Sequence, residues 1–317
     1  MIKYIVKRIL WLIPVIIGVA FTIFTIMYFV PGDPAAIMLG GTATQEEIDL
    51  AREAMGLNEP YLVQLVNFFK GLLHFDFGTS YVYGTSVTAD LLARFPKTML
   101  LATFSVLISL ALGVSLGVTA AVHQNSLADR FCMLVSLLGV SMPSFWVALL
   151  FVILFSVQLG WLPAFGSDGL IYYILPAAAN CLAGIAGQAR QARSSVLEVW
   201  RSDFVVTARA KGQSERNVLM KHILPNALIP IITFTGNNFG GMLAGSLVIE
   251  TIFSIPGIGS YMISGINTRD YPAVRGSIVF CAIAFSIIML IVDLIYAYVD
   301  PRIKARYVSG KRRKSHG

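Results

Sequence analysis

The run Met99–Val122, MLLATFSVLISLALGVSLGVTAAV, contains no charged side chain. The hydrocarbon core of a bilayer is about 30 Å thick, and an α-helix crosses it in about 20 residues, so this run is long enough to span it. Five more runs extend the pattern. Ile9–Val30, Phe131–Leu159 and Asn226–Ile249 also lack charge, and Gly276–Val299 is interrupted only by Asp293. Leu170–Gln188 is shorter and weaker, with Pro176 and Asn180 inside it; it counts as a span because omitting it leaves the termini on opposite sides. The composition agrees: of 317 residues, 56% are hydrophobic and 13% charged, and the mean hydropathy is +0.73. An ordinary soluble domain has roughly a quarter of its residues charged. These figures exclude a disordered chain, a DNA-binding arm and a simple cytosolic enzyme. They predict an all-α polytopic membrane protein with six transmembrane helices.

The net charge of +7 is explained by where the basic residues sit. With six spans, one side holds Lys3, Lys7 and Arg8, then Arg130, then Arg190, Arg193, Arg201, Arg209, Lys211, Arg216 and Lys221, and finally Arg302 to Lys314. The other side has only Arg52, Lys70, Arg94, Lys97, Arg269 and Arg275, the first four in a long loop that counts little. The positive-inside bias therefore predicts cytoplasmic N- and C-termini. The first apolar run is too long for a signal-peptide core and is read as retained. The basic tail Lys311-Arg312-Arg313-Lys314 is read as an orientation signal touching anionic membrane lipid, in preference to a nucleic-acid patch. Cys132, Cys181 and Cys281 all lie in apolar stretches without metal-ligand spacing and read as small hydrophobes.

Pro31–Lys97 is the larger external piece. Thr44-Gln45-Glu46-Glu47 forms a capping box, in which threonine and glutamate satisfy each other's orphan amides at a helix start. Ile48, Ala51 and Met55 make a short apolar stripe ending at Gly56, and Pro60 opens a second helix with Leu62, Leu65, Phe69 and Leu72. A small external helical subdomain follows, equally a docking surface or a folded cap over the spans. Its clustered carboxylates Glu46, Glu47, Asp49 and Glu53 fall in the first turns of a helix, where the dipole favours negative charge, and imply no metal or acid–base site.

The segment between the fourth and fifth spans is more informative. Ser194–Trp200 continues the fourth helix inward, Arg201-Ser202-Asp203 supplies a break with a capping residue, and Phe204–Lys211 reads as a short helix ended by Gly212. A second piece, Ser214–Ile223, leads to Leu224-Pro225. Two short polar helices held beneath the bilayer have the form of a docking element for another protein.

Here the sequence resembles a known family. Thr207-Ala208-Arg209-Ala210-Lys211-Gly212, with Leu224-Pro225 downstream, resembles the cytoplasmic loop of the membrane subunits of binding-protein-dependent ABC importers, and most closely the dipeptide, oligopeptide and nickel branch. Two positions depart from the general pattern: Val206 stands where it has glutamate and His222 where it has isoleucine. Pro31-Gly32-Asp33-Pro34, Met55-Gly56-Leu57-Asn58-Glu59-Pro60, Phe75-Asp76-Phe77-Gly78, Glu250 to Gly259 and Val292 to Ala297 look like the same branch, so the resemblance covers nearly the whole chain.

The resemblance implies a type I ABC importer permease fold, divided into 1–97 (first span and external helical region), 98–300 (permease core with coupling loop 190–225) and a basic tail, 301–317. It implies that Arg201, Asp203, Thr207, Ala208, Arg209, Ala210, Lys211, Gly212, Leu224 and Pro225 form the loop that sits in a groove of the ATP-binding subunit. It implies as partners a second homologous permease subunit, two ATP-binding subunits and an external solute-binding protein, in a bacterial inner membrane. No GxxxxGK[ST] loop occurs, so no ATP is expected on this chain; ATP and Mg belong to the partner ATPases. No catalytic triad, HExxH or metal cluster appears among the scattered His74, His123, His222 and His316, and no enzyme activity is expected. The expected cargo is a di- or oligopeptide. Nickel chelates and glutathione are alternatives, and a stand-alone secondary transporter is the reading from another class.

Among intramembrane polar groups, Asn237 and Asn238, beside Gly236 and Gly240, fit pathway lining and interhelical hydrogen bonding equally. Glu250 and Asp293 sit near opposite membrane faces. Each is read more simply as a helix-end carboxylate paired with an arginine than as a functional group, though Glu250 is kept as a candidate lining residue.

Overall fold

The computed structural model describes residues 2–40 and 43–299; the basic tail 301–317 lies outside them. In order, the helices are α1 (Ile2–Phe29), α2 (Pro34–Leu39), α3 (Gln45–Ala54), α4 (Tyr61–Leu73), α5 (Val87–Val122), α6 (Leu127–Ser141), α7 (Ser144–Phe151, continued by a π-helical turn Val152–Gln158), α8 (Ile174–Asn180), α9 (Leu182–Trp200), α10 (Asp203–Ala210), α11 (Glu215–Val218, continued by a π-helical turn Leu219–Ile223), α12 (Leu224–Gly245), α13 (Leu247–Ile252), α14 (Ile258–Thr268) and α15 (Tyr271–Val299). Among the described residues there is one isolated β-bridge, Thr79 to Ser86, and no strand.

Four helical segments are long and apolar enough to cross a membrane, and two bent helix pairs bring the number to as many as six. The run Phe131–Leu159 is not one continuous helix. It breaks at Met142-Pro143, where the proline removes an N–H and holds Met142 extended (φ −90°, ψ 125°), and the halves bend by 95°. Leu170–Gln188 is likewise corrected: Leu170–Asn180 meets Leu182–Trp200 at 57°, and the long straight part is α9. The run beginning at Met99 starts earlier, at Val87, because Ser86 caps the helix there by accepting from the Ala89 amide, and Pro96 is carried inside it. The fifth run stops at Gly245, and Leu247–Ile252 forms the separate α13.

Helices α5 and α9 pack through a GxxxG pair absent from the sequence reading. A Cβ on Gly113 would lie 2.8 Å from the Ile185 carbonyl, and one on Gly117 2.4 Å from that of Ala189, so only glycine permits this approach. Ser109 Oγ donates to the Cys181 carbonyl (3.1 Å) across the same contact. The external helices are built as the sequence predicts. Thr44 accepts from the Glu47 amide while Glu47 accepts from that of Thr44 (2.8 Å), and Tyr61 begins α4 after Pro60. Asp33 caps α2 and holds Arg52 of α3 at 2.7 Å. Phe77, Val87, Leu91, Ile258 and Val279 form the apolar core that joins this cap to the bundle.

Candidate functional site

The end of the bundle that carries α10 and α11 presents a rigid two-helix element. Its inner face is apolar: Val205, Ala208, Val218 and Ile223 are buried against Ala192 and Val196 of α9 and Ala227 and Ile231 of α12. Ala208 is therefore a spacer within the packing, because a larger side chain would separate α10 from α9. The outer face shows Asp203, Phe204, Val206, Thr207 and Ala210, with Phe204 45% and Val206 59% exposed. Exposed apolar side chains beyond the end of the spans, on a polar loop, form a surface complementary to a protein groove.

The turn between these helices is held from several sides. Gly212 has φ +77°, the left-handed region where a β-carbon is strained, and space around it is open. Arg209 donates from Nε and Nη2 to both Glu215 carboxylate oxygens (2.8 and 3.1 Å), and its guanidinium lies 4.9 Å over the Trp200 ring. The Arg209 bond holds the Glu215 carboxyl below the usual glutamate range. Ser214 accepts from the Asn217 amide at the start of α11. Ser202 occupies the cap position of α10, but its hydroxyl bonds back to the Val199 carbonyl. His222 bonds Gln213 Oε1 (2.9 Å) across the turn, so the departure from isoleucine places a cross-link there. Lys211 ends α10, Arg201 separates it from α9, and Leu224-Pro225 starts α12, where a missing N–H costs nothing.

The asparagine pair divides between two environments. Asn238 points at Gly184, where a Cβ would meet its Nδ2 at 2.6 Å, in the junction of α5, α9 and α12. Asn237 is exposed and lines a hollow of about 490 Å³ with Gln191, Thr233, Arg8 and Asp293. Asp293 pairs with Arg8 at 3.0 Å, as the helix-end reading expects.

Glu250 does not pair with an arginine. It is fully buried and accepts from Thr98 Oγ1 (2.7 Å), Ser246 Oγ (2.9 Å) and the Ser260 amide (3.0 Å), while Thr98 Oγ1 accepts from the Ile258 amide (2.9 Å). Arg269 and Arg275, the nearest arginines along the chain, are engaged elsewhere. Arg269 donates to the Pro31 carbonyl (2.7 Å) and Arg275 lies against Phe24 and Phe68. The carboxylate thus knots α5, α13 and the start of α14 beneath an outer hollow of about 420 Å³ lined by Tyr83, Arg94, Ser264 and Asn267. Residue order hid this cluster, since Thr98 lies far from Glu250 in sequence. The close approach of Gly257 and Gly259 to the carboxylate was its one legible sign.

The family model of the binding-protein-dependent transport system inner membrane component matches residues 113–305, and that of its N-terminal region matches 1–102. The chain belongs to this family. The dipeptide transport system permease protein DppB of Alkalihalophilus pseudofirmus is 40% identical, covering 96% of this chain and 100% of that protein. The glutathione transport system permease protein GsiC of Escherichia coli is 38% identical, covering 96% and 99%. The methionine ABC transporter MetNI, solved in inward-facing conformations, is 16% identical, covers 66% of this chain and 96% of that chain, and superposes with a TM-score of 0.57, which is a likeness of fold. This permease is therefore a multi-pass inner-membrane subunit of an ABC importer. It has no ATPase site of its own and works with ATPase and solute-binding components.

Proposed function

We propose that this permease subunit carries di- or oligopeptides, delivered by an external solute-binding protein, through a pathway it forms with a second homologous permease subunit. Similarity over almost the whole chain to a dipeptide and a glutathione permease supports the solute class, since both names describe short peptides. In this reading the termini and α10–α11 are cytoplasmic and the cap of α2 to α4 is external. Residues 1–97, 98–300 and 301–317 act as first span with external helical region, permease core and lipid-facing tail, and two ATP-binding subunits, which hold the ATP and Mg, take α10.

The observation that carries the mechanism is the packing of the loop element on both α9 and α12. Phe204, Val206, Thr207 and Ala210 enter the ATPase groove. Arg201, Asp203 and Lys211 surround them, and Arg209, Gly212 and the buried Ala208 fix the angle to α9, with Leu224-Pro225 passing it to α12. A push on a helix pair packed on both α9 and α12 moves two spans together, so different contacts in the ATP-bound and ATP-free states bias the orientation of the pathway. Asn237 lines that pathway from the inner side, Asn238 ties α12 to α9, and Glu250 supports its outer wall.

The test is reconstitution of the four-subunit complex with its binding protein. Labelled dipeptide uptake should require ATP and the binding protein, and Gly212→Trp should abolish uptake while hydrolysis and assembly persist. Uptake at the normal rate in that variant refutes the coupling role, and binding-protein affinity for a non-peptide solute refutes the solute class.

A further inference from the structure

A second outer cleft, of about 660 Å³, lies between the cap and the bundle, within the ~300–1,000 Å³ typical of small-molecule sites. It shares no lining residue with the hollow above Glu250. Arg275, in the first turns of α15, forms its base. The guanidinium sits 5.2 Å from the Phe24 ring of α1 and 5.3 Å from the Phe68 ring of α4. Among the described residues it makes no ion pair; the guanidinium donates a hydrogen bond to the Tyr81 side chain, and its Nε–H is enclosed without an acceptor. The nearby Asp270 is already occupied, accepting from Ser80 Oγ and from the amides of Tyr81 and Ala273.

Two exposed carboxylates, Glu59 and Asp76, stand on the wall of the same cleft. Glu59 Oε2 accepts from Asn67 Nδ2 (3.1 Å) and Asp76 Oδ1 from the Gly78 amide (2.9 Å), so each has one oxygen left. An anion alone would meet two like charges, and a cation alone would meet the guanidinium. A small ligand carrying one charge of each sign satisfies both, and the polar Gln64, Asn67 and Ser80 between them suit a peptide backbone. We infer that this cleft binds a zwitterionic amino acid or short peptide, its carboxylate on Arg275 and its ammonium between Glu59 and Asp76. The site is set by the cleft's own charges and does not depend on which solute is carried. Its occupant bridges α4 to α1 and α15, joining the cap to the bundle.

The assembled complex, in nanodiscs lacking phosphatidylethanolamine, is tested by equilibrium dialysis with labelled dialanine, N-acetyl-dialanine and dialanine amide. Dialanine should bind, and each blocked form should bind about tenfold or more weakly, as loss of a charge-assisted contact requires. Arg275→Gln should lose dialanine to the same extent. Because that change touches packed rings, Glu59→Gln and Asp76→Asn combined provide a surface variant, which should weaken dialanine and leave N-acetyl-dialanine unchanged. No binding, equal binding of the three ligands, or dialanine affinity unchanged in the surface variant overturns the inference. So does displacement by glycerophosphoethanolamine at lower concentration than dialanine, which would assign the cleft to a lipid headgroup.

Discussion

Replacing Glu250 separates the two things this side chain does, accepting hydrogen bonds and carrying charge. In Glu250→Ala the Ser260 amide and the Thr98 and Ser246 hydroxyls lose their acceptor in a site with no exposure to solvent. An orphaned buried donor costs about 1–3 kcal/mol. The amide is fixed by the backbone and takes the middle of that range, while the hydroxyls can turn toward nearby carbonyls and take the low end, giving about 3–4 kcal/mol before any cavity term. At roughly 2–4 °C per kcal/mol for a chain of this order of size, the midpoint of the complex should fall by about 6–16 °C. In Glu250→Gln the amide oxygen still accepts from both hydroxyls and only the NH2 group opposes the Ser260 N–H. Removing an unpaired buried charge offsets part of that conflict, so its midpoint should fall by about 4 °C or less. Thermal unfolding of the assembled complex in nanodiscs, followed by the monodisperse fraction on size exclusion, reads both. An alanine variant within 2 °C of wild type, or a glutamine variant as damaged as alanine, would show that the hydrogen-bonded knot is not what holds α13 and α14 on α5.

Other substitutions test other joints. Gly32 has φ +133°, where a side chain is strained, and a Cβ there would push the Arg269 guanidinium off the Pro31 carbonyl, so Gly32→Ala should lower stability by about 1–3 kcal/mol, measured by the same midpoint. Gly117→Val should stop α5 and α9 from meeting and reduce assembled complex, while Gly241→Ala, with open space at its Cβ, should leave assembly unchanged, as read by yield on size exclusion. Glu215 has its folded pKa lowered below 4.5 by Arg209. Its contribution is therefore present above the unfolded value and is lost as pH falls through the lowered one. Hydrogen exchange of residues 203–218, corrected for intrinsic rates, should be level from pH 8 to about pH 5, and Glu215→Gln should expose the segment throughout; matching profiles would remove the pair from the account.

The long apolar helices were legible because hydrocarbon asks only for length and apolarity, which a single run such as Met99–Val122 carries by itself. The bends were less so. Pro143 is visible in the sequence, yet an apolar run read for hydropathy alone passes over it, and the 57° turn at Cys181 has only Asn180 beside it, which by itself specifies no bend. In the loop element the turn, caps and basic residues were legible from Ser202 to Ser214, since capping is local chemistry. Which face of α10 is inward was not: Val205 and Ala208 turn inward onto α9 and α12. Side-chain size and helix spacing decide that face only once α9 and α12 are in place.

Glu250 shows the deeper limit. A carboxylate at a membrane face was matched to the arginines nearest in sequence, because charge pairing is the simplest way to bury a charge. The fold chose neutral donors from α5, α13 and α14 instead, and it placed Arg275 on two phenylalanines. A carboxylate held by hydroxyls and an amide can exchange donors at small cost, whereas a buried ion pair loses several kcal/mol when one partner moves away. A knot of neutral donors therefore suits a wall that changes shape, as the proposed transport cycle requires. The fixed ion pairs, Arg193 with Asp129 and Arg209 with Glu215, lie at the loop end, where the proposed coupling to an ATPase calls for transmission without slack.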